Sequence, residues 1–308
     1  MDLRTLRYCE AVARLGSITR AAETLHVAQP ALSTAIKKLE DELGVRLFVR
    51  QQNKPVAPTA EGRILLKRAE RLFQEVDSAR RELADAQGLR TGEVRIGMPP
   101  MYGLSFFPPV MTAFSARYPG IAVTAVEGSA GEVGGMLDSG EIDLAVLESR
   151  RIRTGWRHAV IGEEEVVLVV HRGHPLAAKA KVSAADLDGL RMVVFDESFL
   201  QRNVLDKRCQ KSGARYRIVM QSNYVPLAVE ATVAGLGAAT LTRSMIRPER
   251  GMVALGFTPA ETFRFNLCWL DDRYLSTANR AFRDFVLEGR GDGDGKTAAP
   301  KSRGKRRR

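Results

Sequence analysis

Five residues within a short stretch have the types and spacing needed to contact duplex DNA: Gln29, Pro30, Ser33, Thr34 and Lys37. The amide of Gln29 can hydrogen-bond to the edge of an adenine, and the methyl group of Thr34 can pack against a thymine. Ser33 and Lys37 suit phosphate oxygens, whereas Pro30 offers an apolar contact and favours the start of a helix. The same residue types also occur on ordinary solvent-facing helices, so the surrounding elements must decide between the two interpretations.

A basic turn follows this stretch and could supply a second DNA contact. Apolar residues alternate ahead of the turn, at Val45, Leu47 and Val49, which predicts a short strand. Arg50 and Lys54 flank the turn itself. A strand, a basic turn and a second strand form a wing, so we expect both residues to contact the DNA backbone or the minor groove.

Three predicted helices precede the turn and position the polar residues. The first begins near Leu3 and ends at Gly16, and Ser17 caps the second, which has the sequence ITRAAETL. The third is predicted over 29–43, with Gly44 ending it. Its buried stripe is expected to consist of Leu32, Ile36, Leu39 and Leu43. Ser33, Thr34 and Lys37 lie off this stripe, as residues that contact DNA must.

A long amphipathic helix is predicted from Thr59 to about Gln87. Its apolar residues recur at spacings of three and four, as Ile64, Leu65, Ala69, Leu72, Phe73, Val76, Ala79, Leu83 and Ala86. One apolar stripe of this length favours a partner helix from a second chain, and packing on its own chain is the alternative. The segment 88–92, which begins and ends with glycine, predicts a hinge.

From Glu93 onward, strand patterns alternate with helix patterns. The segments EVRIGM, IAVTAVEG and IDLAVLE are strand-like and are separated by helical segments, and a second alternation begins at EEVVLVVH. Such alternation predicts a parallel sheet with crossover helices. Two α/β halves in one chain create a cleft, which is a favoured place for a ligand.

The basic residues are concentrated at the two ends of the chain. The formal net charge is +11, and residues 289–308 alone contain eight Lys or Arg against two Asp or Glu. This distribution indicates a polyanionic partner, although the Gly-rich, charged segment 289–308 is also typical of a disordered extension. No apolar run reaches the ~18 residues of a membrane span, and the N-terminal residues do not resemble a signal peptide. The three cysteines lie far apart in the sequence, which argues against a disulfide framework and favours a reducing cytosol.

The residues that could perform catalysis do not form a recognisable set. The four histidines are His26, His158, His171 and His174, and no H-E-x-x-H, C-x-x-C or G-x-S-x-G pattern is present. The acidic run 163–165 has no further metal-ligand pattern beside it, and Cys209 has no nearby cysteine with which to pair. We therefore expect neither an enzyme, nor a metal site, nor a cofactor.

The segment SITRAAETLHVAQPALSTAIKKLEDELGVRLFVR resembles the helix-turn-helix of LysR-type transcriptional regulators. The later motifs PTAEG, HPLA and VAGLGAATLT are similar to that family in order and spacing, so the resemblance covers roughly residues 2–287. It implies an α/β fold with an N-terminal all-α winged helix-turn-helix, a long dimerisation helix and a two-lobed α/β effector domain similar to periplasmic binding proteins. It also implies a cytoplasmic homodimer or homotetramer that binds double-stranded promoter DNA and a small-molecule effector.

The resemblance divides the chain into a DNA-binding domain (1–58), a linker helix and hinge (59–90), an effector domain (91–288) and a basic tail (289–308). Within the effector domain, lobe I is expected at about 91–162 plus 267–288, and lobe II at about 163–266. The family often carries Arg and Gln where this chain has Thr34 and Ala35. These shorter side chains reach fewer base edges, so operator preference is expected to differ.

Five residues are expected to contact the effector: Met101, Ser129, Phe199, Asn223 and Thr242. The loop that holds Met101 often supplies hydroxyl groups in the family, but here Pro99 and Pro100 remove backbone donors. Ser129 matches the family's hydroxyl position at a helix start. Phe199 and Asn223 follow strands of the second lobe, and Thr242 stands where the family usually has proline.

A solute-binding protein without a transcriptional role is the alternative interpretation. It would require a signal peptide and no basic helical domain ahead of the α/β region, whereas this sequence has the opposite pattern. The sequence does not decide the effector, the operator, or whether the protein activates or represses.

Overall fold

The computed structural model describes residues 1–49, 55–86 and 92–289, except for the side chains of residues 81, 84 and 86. The predicted wing residues Arg50 and Lys54, most of the predicted hinge and the tail from residue 290 lie outside the described residues. The chain divides into two compact units, Met1–Ala84 and the residues from Asp85 onward. The boundary falls inside the long helix, whereas the sequence predicted a separate segment 59–90.

The N-terminal unit contains three short helices, a two-stranded ladder and most of a long helix. Its elements are α1 (Leu3–Leu15), α2 (Ile18–Thr24), α3 (Gln29–Leu43), β1 (Phe48–Val49), β2 (Ala57–Pro58) and α4 (Ala60–Ala86). Gly16 and Gly44 end α1 and α3 in the left-handed region, with φ of 63° and 69°. The side chain of Ser17 accepts a hydrogen bond from the Arg20 amide. The predicted helix starts and stops are thereby confirmed.

The apolar faces of α1, α2 and α3 form the core of this unit. Ala21 and Ala22 are buried, and their small side chains let neighbouring helices approach closely. Leu32, Ile36 and Leu39 are buried as predicted, but the prediction for Leu43 is wrong, because that side chain is 40% exposed. Leu43 is the last residue before the chain reverses at Gly44, and Glu40 turns into the unit instead.

The long helix α4 begins at a side-chain cap. The hydroxyl of Thr59 accepts a hydrogen bond from the Gly62 amide at 2.9 Å. Ala69 and Phe73 pack into the core of the N-terminal unit. Other members of the predicted stripe face outward, since Leu72 is 44% exposed and Leu83 is 66% exposed.

The C-terminal unit is α/β. Its described helices are α5 (Pro100–Ser105), α6 (Phe107–Arg117), α7 (Ala130–Ser139), α8 (Leu200–Ser212), α9 (Val225–Val233) and α10 (Thr277–Glu288). Its described strands are β3 (Gly92–Met98), β4 (Ile121–Glu127), β5 (Leu144–Glu148), β6 (Trp156–His171), β7 (Lys181–Val182), β8 (Arg191–Val194), β9 (Arg217–Gln221), β10 (Ala238–Thr242) and β11 (Met252–Leu270).

The strands form two parallel groups joined by two long antiparallel strands. The order of the main path is β4-β3-β5-β11-β6-β10-β8-β9, and β7 pairs with β11. Strands β3, β4 and β5 pair in parallel on one side, and β8, β9 and β10 on the other. Strands β6 and β11 pair from Met252–His171 to Leu270–Trp156 and run through both halves. Both lobe boundaries predicted from the sequence, near 162 and 266, fall inside these strands.

Each half packs its own apolar core against the sheet. The first half buries Ile96, Phe114 and Phe282, and the second buries Leu168, Val193 and Leu205. The carboxyl ends of β3, β4 and β5 open toward the loops that follow β8 and β9, and a cavity lies there. This is the edge of a parallel sheet at which ligands are commonly held.

Candidate functional site

The predicted DNA-contacting residues of the third helix lie in its first turns, except for Lys37, which is at its middle. Gln29, Pro30, Thr34 and Lys37 are exposed, and Ser33 is half-buried. Ala28 precedes the helix without giving a side-chain cap, so the first backbone amides of α3 are not satisfied by a cap. Uncapped amides at a helix N-terminus can bind phosphate oxygens. The arrangement therefore offers both polar side chains and backbone donors on one exposed surface.

The N-terminal unit fixes α3 through a buried carboxylate that the sequence analysis missed. Oε1 of Glu40 accepts hydrogen bonds from the amides of Leu47 at 2.7 Å and Phe48 at 3.3 Å. Glu40 is only 5% exposed. It follows Ile36 by four residues, so its place on the buried helical face could have been read from the spacing. The contact ties the helix to the strand that leads into the predicted wing.

Most of the predicted effector residues lie on one cavity in the C-terminal unit. The cavity has a volume of about 440 Å³, and Met101, Ser129, Phe199 and Asn223 are on its wall. Thr242 is not on this wall: it is 1% exposed at the end of β10, and its hydroxyl accepts a hydrogen bond from Ser244 at 3.5 Å. The structure thus brings four of the five residues together, from both halves of the unit.

Local contacts position these cavity residues. Ser129 and Glu132 form a reciprocal capping box at the start of α7. The ring of Phe199 stacks on Phe195 with the ring centroids 4.8 Å apart. Met101 is buried in the first turn of α5, and Asn223 is exposed just before α9.

Acidic side chains on the cavity wall were also missed. We call Glu127, Glu132, Glu148 and Asp196 the acidic wall. Three of them follow or end strands β4, β5 and β8, so their position at the carboxyl edge of the sheet could have been predicted. Among the cavity-lining residues that the structure describes, Arg151 is the only cationic one, and its Nε lies 3.3 Å from Oε1 of Glu148.

The environment changes the titration of several of these groups. Burial raises the pKa of the Glu127 carboxyl. Hydrogen bonds from Ser129 lower the pKa of Glu132, against a smaller opposing effect of the nearby Asp196 carboxylate. Burial, with the nearby Glu148 carboxylate, holds the pKa of the Tyr102 hydroxyl well above its usual range. Glu132 therefore stays ionised to lower pH than Glu127 does.

The remaining reactive side chains are buried or scattered. The three cysteines are buried, and desolvation raises the thiol pKa of Cys9 and of Cys268 to about 12. Over residues 1–49, 55–86 and 92–289, no group of three or more His, Cys, Asp or Glu side chains could hold a metal ion. None of the described helices is both long and apolar enough to cross a bilayer.

Two family models match the two parts of the chain. The model described as bacterial regulatory helix-turn-helix protein, lysR family, matches residues 3–63. The model described as LysR substrate binding domain matches residues 87–291. The chain belongs to the LysR family. It is a DNA-binding transcription regulator with an effector-binding domain, not an enzyme.

Relatives of this LysR-family regulator match it over most of its length. YwbI of Bacillus subtilis strain 168, an HTH-type transcriptional regulator, is 33% identical over 92% of this chain and 94% of its own. A probable RuBisCO transcriptional regulator of Porphyra purpurea is 29% identical over 92% of this chain and 93% of its own.

Solved structures share the fold. CbnR, a LysR family transcriptional regulator, has a TM-score of 0.71 at 23% identity and is covered over 100% of its chain and 95% of this one. A full-length OxyR variant from Pseudomonas aeruginosa has a TM-score of 0.70 at 24% identity, with 94% of its chain and 93% of this one covered. The sequence-based prediction of family and fold class is confirmed.

Proposed function

We propose that this regulator contacts promoter DNA through the N-terminal end of α3 and through the wing. Gln29, Pro30 and Thr34 would meet base edges, and Ser33 and Lys37 would meet phosphates. Arg50 and Lys54 would contact the backbone or the minor groove beside the helix. The proposal assigns residues 1–58 to DNA binding, 59–90 to linkage and 91–288 to sensing.

One observation carries the assignment of the DNA-binding surface. Along α3, Leu32, Ile36 and Leu39 are buried in the unit, while Gln29, Pro30, Thr34 and Lys37 remain exposed. A recognition helix needs this division, because the buried face holds it rigid and the free face enters the groove. CbnR has been solved in complex with its target DNA, and that chain shares this fold with a TM-score of 0.70 at 23% identity.

We further propose that a small molecule in the C-terminal cavity controls DNA binding or DNA bending. Met101, Ser129, Phe199 and Asn223 on the cavity wall come from both halves of the unit, so a ligand there would favour one arrangement of the halves. A volume of about 440 Å³ suits a small organic molecule. Thr242 is kept as a weaker candidate because it lies behind the wall.

A second copy of the chain is the proposed partner of α4. The outward side chains of Leu72 and Leu83 are apolar and are 44% and 66% exposed in the described part of the chain. Pairing two such helices would bury them and would place two copies of α3 for two half-sites on DNA. The proposed compartment is the cytoplasm, where promoter DNA is accessible.

The test is a titration of the full chain against the DNA upstream of its own gene, at a series of salt concentrations. The variant Gln29→Ala, Ser33→Ala is compared with the matched variant Gln221→Ala, Ser115→Ala, whose residues are exposed in the C-terminal unit. We expect the first variant to lose sequence-selective binding by about tenfold or more, and the second to bind like the parent.

Two results would count against the proposal. Equal selectivity among DNA sequences in the two variants would show that Gln29 and Ser33 of α3 do not contact bases. Binding that ignores sequence and disappears when residues 289–308 are deleted would assign DNA contact to the tail instead.

A further inference from the structure

The C-terminal cavity has a charge opposite to that of the chain as a whole. The chain carries a formal net charge of +11, yet the acidic wall places four carboxylates around the cavity. The one arginine on the described wall, Arg151, already lies against Glu148, and its side chain is about half exposed. The acidity is therefore local to this cavity, and local charge selects the charge of a ligand.

The backbone positions that could hold an anion are occupied or lack a donor. Pro99 and Pro100 remove two N–H groups at the start of α5. The Ser129 amide donates to Oε2 of Glu132 at 2.8 Å, and the Ser198 amide donates to Oδ1 of Asp196 at 2.8 Å. Each of these loops therefore either lacks a backbone N–H donor or has its N–H group hydrogen-bonded to a carboxylate of the same loop or helix. An anionic ligand would have to displace these carboxylates and then face their charge.

Buried polar groups on the same wall lack partners that a cation with N–H groups would provide. Gln201 is 5% exposed and Tyr102 is 6% exposed, and neither side chain is hydrogen-bonded to any residue in the described part of the chain. Within the same described residues, Oε2 of Glu148 is buried without a partner. The side-chain oxygens of Gln201 and Tyr102 can accept hydrogen bonds, and both residues line the cavity. A ligand that donates several hydrogen bonds fits them.

Carboxylates from the two halves of the unit also oppose each other across the cavity. Glu132 lies in α7 of the first half, and Asp196 follows β8 of the second. Both carboxylates line the cavity, so each adds to the negative potential that the other experiences. A positive charge between them would replace this repulsion by two attractions and would draw the halves together.

We propose that the ligand of this cavity is an organic cation bearing a primary ammonium or a guanidinium group. This inference rests on the proposed role of the cavity as the effector site. The cationic group lies at the acidic wall, and Gln201 and Tyr102 accept its remaining hydrogen bonds. The carbon skeleton packs against Phe199 and Met101. A bare metal ion does not fit, because the described carboxylates do not form a metal-binding group.

The experiment measures thermal unfolding and calorimetric binding of the full chain with two cations and one anion. The cations are 1,4-diaminobutane and agmatine, and the anion is succinate, which has the same four-carbon length as the diamine. We expect the cations to raise the melting temperature by a few degrees in a concentration-dependent way, and succinate to leave it unchanged.

Isosteric variants test whether the cations bind at the acidic wall of the cavity. Asp196→Asn and Glu148→Gln should each weaken cation binding by about tenfold or more, since each removes one charge-assisted contact. Glu249→Gln makes the same charge change at an exposed position outside the cavity and should leave affinity unchanged. Circular dichroism of each variant without ligand verifies that all three are folded.

Three outcomes overturn the inference. The first is that succinate binds and the cations do not. The second is that Glu249→Gln loses cation binding as much as the cavity variants do. The third is that neither cation has an effect at concentrations of about ten millimolar.

DNA binding by the same preparations is measured separately without ligand. If selective DNA binding persists while the cations fail, the cation inference is wrong and the proposed regulator function stands. If DNA binding fails while the cations bind, the cation inference stands and the proposed DNA contact is wrong.

Discussion

The carboxylate of Glu40 and the backbone amide of Leu47 are joined by a hydrogen bond of 2.7 Å in the interior of the N-terminal unit. The same oxygen accepts a second bond from Phe48, and the other oxygen lies 3.4 Å from the guanidinium of Arg46. One side chain of α3 thus contacts three consecutive residues of the segment that enters β1.

The first prediction concerns removal of that group. Glu40→Ala leaves two buried amides unpaired, so we expect the free energy of unfolding of the N-terminal unit to fall by about 1–3 kcal/mol. Urea denaturation followed by circular dichroism measures this. Glu42→Ala is the control, because Glu42 is exposed on the same helix and contacts only the amino terminus. Equal losses in the two variants would show that the buried contact has no special role.

The second prediction concerns a close approach of two backbone segments at the start of α4. A Cβ atom added at Gly62 would lie 2.1 Å from the carbonyl oxygen of Leu47, which is backbone and cannot rotate away. Gly62→Ala should therefore destabilise the N-terminal unit and lower its melting temperature by several degrees. Gly135→Ala in α7 meets no atom within 4 Å and should be neutral or stabilising by up to about 1 kcal/mol. Unchanged stability in Gly62→Ala would contradict the steric argument.

Much of this fold could be predicted from local sequence signals. Gly16, Ser17 and Gly44 mark helix ends by conformational and capping preferences that act over a few residues. Strand β6 begins well before the predicted segment EEVVLVVH, because the added length depends on pairing with β11. Leu43 was misassigned because burial at a helix end depends on whether another element covers it.

For the candidate sites too, local signals could be read from the sequence, but contacts between distant segments could not. The residues of α3 could be chosen from spacing alone, since one helix carries them all. The cavity combines residues from loops far apart in sequence, such as Glu132 and Asp196, and only the sheet topology brings them together. Thr242 was chosen by analogy of position, and its side chain lies behind the wall. The positions of Glu127, Glu148 and Asp196 at strand ends could have been predicted, whereas Glu132, inside α7, carries no such signal.

The third prediction concerns the outward apolar residues of α4. Leu72→Glu with Leu83→Glu places two charges on the face proposed to pair with a second copy, and burying them there would be strongly unfavourable. We expect the dimeric or larger mass of the parent to fall to that of a single chain in sedimentation equilibrium. Arg71→Glu, on the adjacent exposed face, is the control for added negative charge. A monomeric parent, or an unchanged mass in the double variant, would rule out pairing through this face.

The fourth prediction concerns pH. Burial raises the pKa of Glu127 above its ordinary value of 4.5, so this carboxylate gains a proton at higher pH than a free glutamate. Protonation removes one negative charge from the cavity, and affinity for 1,4-diaminobutane should therefore fall as pH drops through the raised pKa. The stability of the unliganded protein changes in the opposite direction. Because the folded state binds this proton more tightly than the unfolded chain does, protonation of Glu127 adds to the free energy of unfolding as pH falls. Calorimetry at about pH 7.5 and at successively lower pH values measures the first effect.

The variant Glu127→Gln distinguishes the titration of Glu127 from that of the neighbouring carboxylates. Glu127→Gln should bind the diamine more weakly at neutral pH and should lose most of the decline in affinity that the parent shows as pH falls. Hydrogen bonds from Ser129 lower the pKa of Glu132, so that carboxylate remains charged over the same range. An identical pH profile in the parent and in Glu127→Gln would assign the titration to another group.

The fifth prediction concerns the wing. Arg50 and Lys54 are expected to contact phosphates or the minor groove beside α3, and each phosphate contact releases about one counterion from duplex DNA. Arg50→Ala with Lys54→Ala should weaken binding to all DNA sequences alike and should reduce the slope of log affinity against log salt by about two. Gln29→Ala, by contrast, should change the preference among sequences with little change in that slope, because it removes a base contact without removing a charge. Fluorescence anisotropy with the upstream DNA and with a scrambled duplex of equal length distinguishes the two effects. A loss of selectivity without a change of slope in the wing variant would mean that these residues read bases and not the backbone.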